Sequence, residues 1–370
     1  MQGQDPWKEA RARFPSLAET AYLDSAAYGA LSTEVRDSVL RALEQWSAAA
    51  PFPTWEEAGE RSRALFARIT GTVPENVALL PAVSVAAGQV ARELPFRPGA
   101  NLVVGEGEFH SNLYPWMAQE RRGFELRLVP QREGRMALED YLERIDARTA
   151  LVALSSVQSS NGYRVPLPPI VARCRRHGAR IFVDATQSAG ALALDLDGLD
   201  YVAVAGYKWL CSPRGTTFLY VAPSRRDEMQ PLSPGWKTPD RPYESYYGPP
   251  FDLAPRASRF DVSLAWLAWA GGEPALRLVA EIGTARIEPR VLALARSFAE
   301  GLERLGLSPM FAPEERSQIV SVRMSEAPRL RDALRERGVI ASARAEYLRF
   351  GFHFYNDEGD VERALAALAE

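Results

Sequence analysis

The sequence predicts an α/β protein: a large domain on a mostly parallel seven-stranded sheet sandwiched by helices, and a smaller α+β domain at the C-terminal end. Three observations predict it. Short β-rich apolar runs alternate with longer amphipathic ones over residues 76–221, the order that folds as strand–helix–strand units. The runs are apolar throughout, as strands covered on both faces require. A length of 370 residues suits one large unit plus a smaller one.

Strands are read at Asn76–Leu80, Asn101–Val104, Glu125–Val129, Ala150–Ser155, Arg180–Asp184, Asp200–Ala205 and Thr216–Val221. Helices are read between the early ones, near Val85–Leu94, Leu113–Arg122, Leu138–Ile145 and Leu167–His177. After residue 222 the pattern changes. Residues 223–255 are rich in Pro, Gly, Tyr and Trp and have no clear period; so long an irregular stretch is usually functional. A long helical segment follows over Glu273–Leu305, interrupted near Pro289. Strands Gln318–Met324 and Val339–Phe354 flank a helix Ala327–Arg337, and a last helix covers Asp360–Leu368. The expected division is an N-terminal arm over 1–20 packed on the small domain, a large domain over 21–255 and a small domain over 256–370.

Composition excludes several classes. Hydrophobic residues are 46% and charged residues 25%, as in soluble globular proteins. A net charge of -3 gives no general attraction to nucleic acid. No apolar run is long enough to span a bilayer, and Met1-Gln2-Gly3-Gln4-Asp5 lacks the basic start and apolar core of a signal peptide. Two cysteines, Cys174 and Cys211, make no disulfide framework. The histidines His110, His177 and His353 are scattered, so no metal site is expected. A reducing cytoplasm fits this pattern.

Ligands of open α/β sheets bind beyond the carboxyl ends of the strands. Arg180-Ile181-Phe182-Val183 ends in Asp184, and Tyr201-Val202-Ala203-Val204-Ala205 runs into Gly206-Tyr207-Lys208. Singly, an acid or a lysine at a strand end is ordinarily just solvated. Together they match the needs of one cofactor, pyridoxal phosphate (PLP). It requires a lysine amine for its Schiff base and a carboxylate against its pyridine nitrogen. A lysine working at neutral pH also needs a lowered pKa, which burial and neighbouring cations supply.

Six blocks make the resemblance specific: Tyr22-Leu23-Asp24-Ser25-Ala26-Ala27, Glu108-Phe109-His110-Ser111-Asn112, Val183 to Gly190, Gly206-Tyr207-Lys208-Trp209-Leu210, Pro213-Arg214-Gly215 and Leu348-Arg349-Phe350. In this order the chain resembles a fold-type I PLP enzyme of the class V aminotransferase group, the superfamily that includes the cysteine desulfurases. The resemblance implies that Lys208 forms the internal aldimine and moves the α-proton. Asp184 would pair with the ring nitrogen, and Gln187 would donate to the ring phenolate. Arg349 would hold the substrate α-carboxylate through its planar fork. Ser84 and Val85 would meet the phosphate at a helix start. Ser263 would be lent to a neighbouring subunit's phosphate, or would cap the helix before Leu264. Ala27, Asn112 and Trp236 are the remaining substrate-side candidates. The resemblance also implies a homodimer with shared sites.

The pattern has departures. Phe109 stands where desulfurases have a stacking histidine, so it stacks without transferring protons. Tyr207 replaces a phosphate-binding histidine, and Ala205 replaces a serine. Ser325–Arg349 contains no cysteine to accept sulfur, which disfavours a desulfurase; Cys211 packs or lines the pocket. The Gly206–Gly215 run and the Tyr246 to Asp261 stretch are similar to isopenicillin N epimerase-like proteins and C–S lyases of the superfamily. The expected reaction is β-elimination from a cysteine conjugate or sulfoxide. Transamination comes second and epimerisation third, ahead of a non-catalytic role. Tyr28, Tyr114, Trp116, Trp236, Tyr243, Tyr246 and Tyr247 are read as aromatics near the entrance, suited to a ring-bearing substrate.

Overall fold

The computed structural model describes residues 5–51, 53–244, 246–344 and 346–369; positions 1–4 of the expected arm lie outside these. The central sheet has seven strands: β1 (Val77–Leu80), β2 (Asn101–Gly105), β3 (Glu125–Val129), β4 (Thr149–Ser155), β5 (Arg180–Asp184), β6 (Tyr201–Ala205) and β7 (Thr217–Val221). Their order is β1-β7-β6-β5-β4-β2-β3. The pairs among β2 to β6 are parallel, and β7 alone runs against its neighbours β1 and β6.

Side chains of a strand alternate between faces. Here both sets are apolar: Val152, Leu154, Ile181 and Val183 enter one core, and Leu151, Ala153 and Phe182 enter the other. The exception is β3, where only Val129 is buried. It is an edge strand, and Glu125 and Arg127 pair on its exposed side at 2.8 Å, so its run is not apolar throughout.

The expected break near Pro289 falls instead at Gly283, whose φ of +84° favours glycine. It separates helices Trp266–Ile282 and Thr284–Arg304, and Pro289 lies inside the second. The expected strand Val339–Phe354 is three: Val339–Ile340, β9 (Ser342–Arg344) and β10 (Tyr347–Gly351). β9 and β10 form a hairpin, with β10 also antiparallel to β8 (Ile319–Arg323). Ala21–Tyr22 pairs parallel with Val339–Ile340, and Ala21 and Leu23 enter the core of this C-terminal unit. Helix Trp266–Ile282 packs on helices Thr33–Ser47 and Pro53–Thr70, the second of which packs on β1 of the large sheet. Among the described residues no helix is long and apolar enough to cross a membrane.

The irregular stretch is pinned from within. Lys237, 3% exposed, donates to Glu56 Oε2 and Tyr243 Oη, both at 3.0 Å. A buried pair of this kind fixes position more than it adds stability.

Candidate active site

The carboxyl ends of β1, β2, β4, β5 and β6 and the start of β7 surround one cavity of about 620 Å³. Hydrogen-bonding register brings its two central groups together. Asp184 ends β5 opposite Ala203 of β6, and the turn after β6 returns Lys208 to the same opening. Glycine makes that return possible: a Cβ on Gly29 would lie 2.3 Å from the Lys208 carbonyl oxygen. Gly29 N–H also donates to the Tyr207 carbonyl at 2.9 Å.

Lys208 is 7% exposed. Burial brings its pKa down to about 8, with Arg349, Arg344 and Arg214 adding to the effect and Asp184 opposing it. Asp184 is also buried, and desolvation raises its pKa against hydrogen bonds from Thr186 and the charge of Lys208. The other lysines lie elsewhere: Lys8 is exposed on the N-terminal helix and Lys237 is paired with Glu56. Lys208 is therefore the one lysine of the sequence that lines this cavity.

Arg349, 1% exposed, comes from β10. Its Nε donates to Ser342 Oγ at 3.2 Å and its Nη2 to Asp24 Oδ1 at 3.3 Å, while Nη1 donates to the Ser159 carbonyl. Burial lowers its pKa to about 10, Arg344 adds to this and Asp24 opposes it. Gln187 lines the cavity with its amide group committed: Nε2 donates to Ala26 O at 3.0 Å and Ser159 Oγ at 2.8 Å, and Oε1 accepts from Trp209 Nε1 at 2.8 Å. Donation to a bound ring requires Ser159 or Ala26 to be exchanged for it.

The structure places Ala27, Phe109 and Tyr207 along the cavity. The Lys208 Nζ lies 5.7 Å from the Phe109 ring centre and 5.8 Å from that of Tyr207. His110 is at the mouth, stacked on Tyr114 and hydrogen-bonded to its hydroxyl at 3.1 Å.

Other candidates are placed differently. Asn112 is fully buried behind the wall. It donates to Glu108 at 2.8 Å and accepts from Trp116 Nε1 at 3.1 Å, so its amide is spent on structure. Glu108 also takes Ser155 N–H, Ser155 Oγ and Gln158 Nε2, tying the end of β2 to that of β4. Ser84 and Val85 follow Val83, which lines the cavity and opens helix Val83–Arg92; the Ser84 side chain is exposed. Ser263 is exposed, outside this cavity, and Ala265 is the N-cap residue of the next helix, so Ser263 is not the cap. Trp236 packs with Tyr243 and Tyr246, each at 5.9 Å, outside the cavity. Trp116 is a core residue. Cys211 is buried beside His353 Nε2 at 3.5 Å and does not line the cavity.

Two cavity arginines escaped sequence reasoning. Arg214 lies with its guanidinium 4.5 Å from the Tyr207 ring centre; its Pro-Arg-Gly block was visible, its direction was not. Arg344 had no signal, because the hairpin that aims it was read as one strand.

The site suits PLP. It offers a buried amine of lowered pKa, a buried carboxylate and the start of helix Val83–Arg92, whose cap residue Ala82 supplies no side-chain acceptor to the first N–H groups. The model of the class V aminotransferase family matches residues 21–364. The chain belongs to the class V aminotransferase family. Members of this family use pyridoxal phosphate, and that is the cofactor here. Among relatives of this family member, the uncharacterized aminotransferase YcbU of Bacillus subtilis is 27% identical over 369 residues, 97% of this chain and 96% of that protein. A cysteine desulfurase of Salmonella newport is 32% identical over 251 residues, 62% of this chain and 61% of its own. The cystine C–S lyase C-DES, solved with cysteine persulfide, superposes with a TM-score of 0.87 at 23% identity, covering 96% of this chain and 99% of that one. The apo cysteine desulfurase of Thermococcus onnurineus gives 0.84 at 22%, covering 98% and 96%. At such identities the structural matches establish the fold.

The lowered pKa has a measurable consequence. Only the unprotonated amine attacks an aldehyde. At pH 7 a lysine of pKa 8 is about one-tenth unprotonated, against roughly one part in three thousand for an unshifted one. Capture of added PLP by the apoprotein, followed by visible absorption, is expected to accelerate with pH to a midpoint near 8. A midpoint above 10 would contradict the burial of Lys208.

Proposed function

We propose that this enzyme is a C–S lyase that eliminates the β-substituent of a cysteine conjugate or sulfoxide, releasing a thiol or sulfenate, pyruvate and ammonia with uptake of water. The observation that carries the reading is the convergence of Lys208, Asp184 and Arg349 on a cavity that no cysteine lines. A persulfide relay needs such a cysteine; Cys211 is buried beside His353, and Cys174 is buried in helix Leu167–His177.

Lys208 would hold the cofactor and Asp184 would keep its ring nitrogen protonated. Gln187 would face the ring phenolate. The N–H groups around Val83, Ser84 and Val85, with Tyr207 and Arg214, would meet the phosphate, and Phe109 would stack. When bound, PLP supplies an electron sink for the pair left at the α-carbon. Arg349 would orient the substrate by its α-carboxylate, and Ala27 leaves room beside it. Lys208 removes the α-proton, its lowered pKa leaving it unprotonated often enough to act as a base at neutral pH.

A second reading, transamination, is favoured by the near full-length similarity to a protein named as an aminotransferase. One assay separates them. A lyase releases pyruvate from S-substituted cysteines with no keto acid added. Turnover that depends on a keto acid would establish transamination, and α-proton exchange with solvent without either product would establish epimerisation.

We further infer a homodimer. Leu40, Leu43 and Trp46 are exposed on one face of helix Thr33–Ser47, Trp46 is in edge contact with Trp266, and Tyr247 and Phe251 are exposed nearby in sequence order to Ser263. Such apolar surface is ordinarily covered by a partner, and an exposed Ser263 is free to serve a second copy's site. The cytoplasm is its proposed location, in keeping with two unpaired, buried cysteines.

A further inference from the structure

The cavity wall beside Arg349 is cationic where the sequence suggested aromatic residues. Trp236 and its aromatic neighbours lie outside it, and Arg344 lines it instead. Arg344 ends β9 in the hairpin that carries Arg349, with Ser342 opposite Arg349 and Arg344 opposite Tyr347. One short hairpin therefore brings two guanidinium groups to one end of the cavity.

The two are in different states. Arg349 is buried, bonded through all three nitrogens, and faces the carboxylate of Asp24. Arg344 is exposed, and its one hydrogen bond among the described residues goes to the carbonyl of its neighbour Ala343. No carboxylate among the described residues lies within ion-pair distance of it. Its charge reaches both Lys208 and Arg349, lowering the pKa of each. Clustered like charges of this kind are relieved by an incoming anion. In the proposed arrangement a cofactor phosphate would have the first turn of helix Val83–Arg92 and Arg214 as donors, and a substrate α-carboxylate would have Arg349, which leaves Arg344 without an assigned anion.

We propose that Arg344 reads a second anionic group at the far end of the substrate side chain, so that the preferred substrate is an amino acid bearing a distal carboxylate or sulfonate. Neutral S-alkyl or ring-bearing conjugates would then be poor substrates. The inference rests on the reading of this cavity as an amino-acid site, and holds whichever reaction follows.

The test measures binding without turnover. Succinate, glutarate and adipate, and the monoamide of each, are titrated into the PLP-loaded enzyme by calorimetry, because without an amine none of them reacts. At least one dicarboxylate is expected to bind about ten-fold tighter than its monoamide, the size of a charge-assisted hydrogen bond in a partly solvated site. Arg344→Gln should erase that difference, weakening the dicarboxylate about ten-fold more than the monoamide, and the monoamide binding that remains shows that the variant is folded. Equal binding of acid and amide by the native enzyme would overturn the proposal alone. So would an equal loss of both in Arg344→Gln, which would make Arg344 a partner of Arg349 at the α-carboxylate. If no carboxylate binds at all, the amino-acid reading of the cavity falls, and this proposal with it.

Discussion

Lys208→Ala is expected to abolish the visible absorption of lysine-bound cofactor and to reduce turnover by about four orders of magnitude. In the proposed reaction Lys208 would serve twice: as the covalent anchor, and as the group that moves the α-proton. Loss of a general base alone costs about 10²–10⁴-fold, and loss of a covalent role adds to it. No neighbour substitutes, because Lys8 is exposed elsewhere and Lys237 is held by Glu56 and Tyr243. Alanine at this buried position leaves the backbone contacts of Tyr207 with Gly29 and of Lys208 with Cys211 in place, so the fold should persist. The check is turnover together with circular dichroism. A folded variant with more than a hundredth of native activity would contradict the role.

Asp184→Asn is expected to lower turnover by about 10²–10³-fold, the range for removing one preorganised electrostatic partner of a reaction. The amide keeps the shape and can still accept from Thr186 N–H, now 2.9 Å from Asp184 Oδ1, but it cannot hold a proton on a pyridine nitrogen. A second readout follows from the same charge. Asp184 is the carboxylate that pulls the Lys208 pKa upward against burial. Its loss should move the pH midpoint of PLP capture below the native value near 8. Unchanged turnover with an unchanged midpoint would remove Asp184 from the cofactor's environment.

The sheet was legible because burial on both faces selects mainly apolar residues along its inner strands, and strand ends then point to Asp184 and Lys208. Edge strand β3 has the expected bounds, Glu125–Val129, and departs only from the expectation of an apolar run, because its exposed side carries Glu125 and Arg127. In helix Thr33–Ser47 the apolar residues do not form one buried stripe: Val35 and Ala42 are buried, while Leu40, Leu43 and Trp46 are exposed. Pro289 drew the helix break away from Gly283, although a proline early in a helix costs a single backbone hydrogen bond. Asn112 stands four residues after Glu108 and four before Trp116, a spacing that brings side chains together on a helical turn and that explains its structural role. Arg344 depended on a hairpin register, and register is a tertiary property no local pattern carries.

The central claim is that Lys208 carries the cofactor. Reducing the PLP-loaded protein with borohydride fixes the cofactor to its lysine, and peptide mass spectrometry then locates it. The account predicts pyridoxyl mass on the peptide containing Lys208, in near-stoichiometric yield, with none on those containing Lys8 or Lys237. Label on either of those peptides, or no label on a protein saturated with PLP, would contradict it.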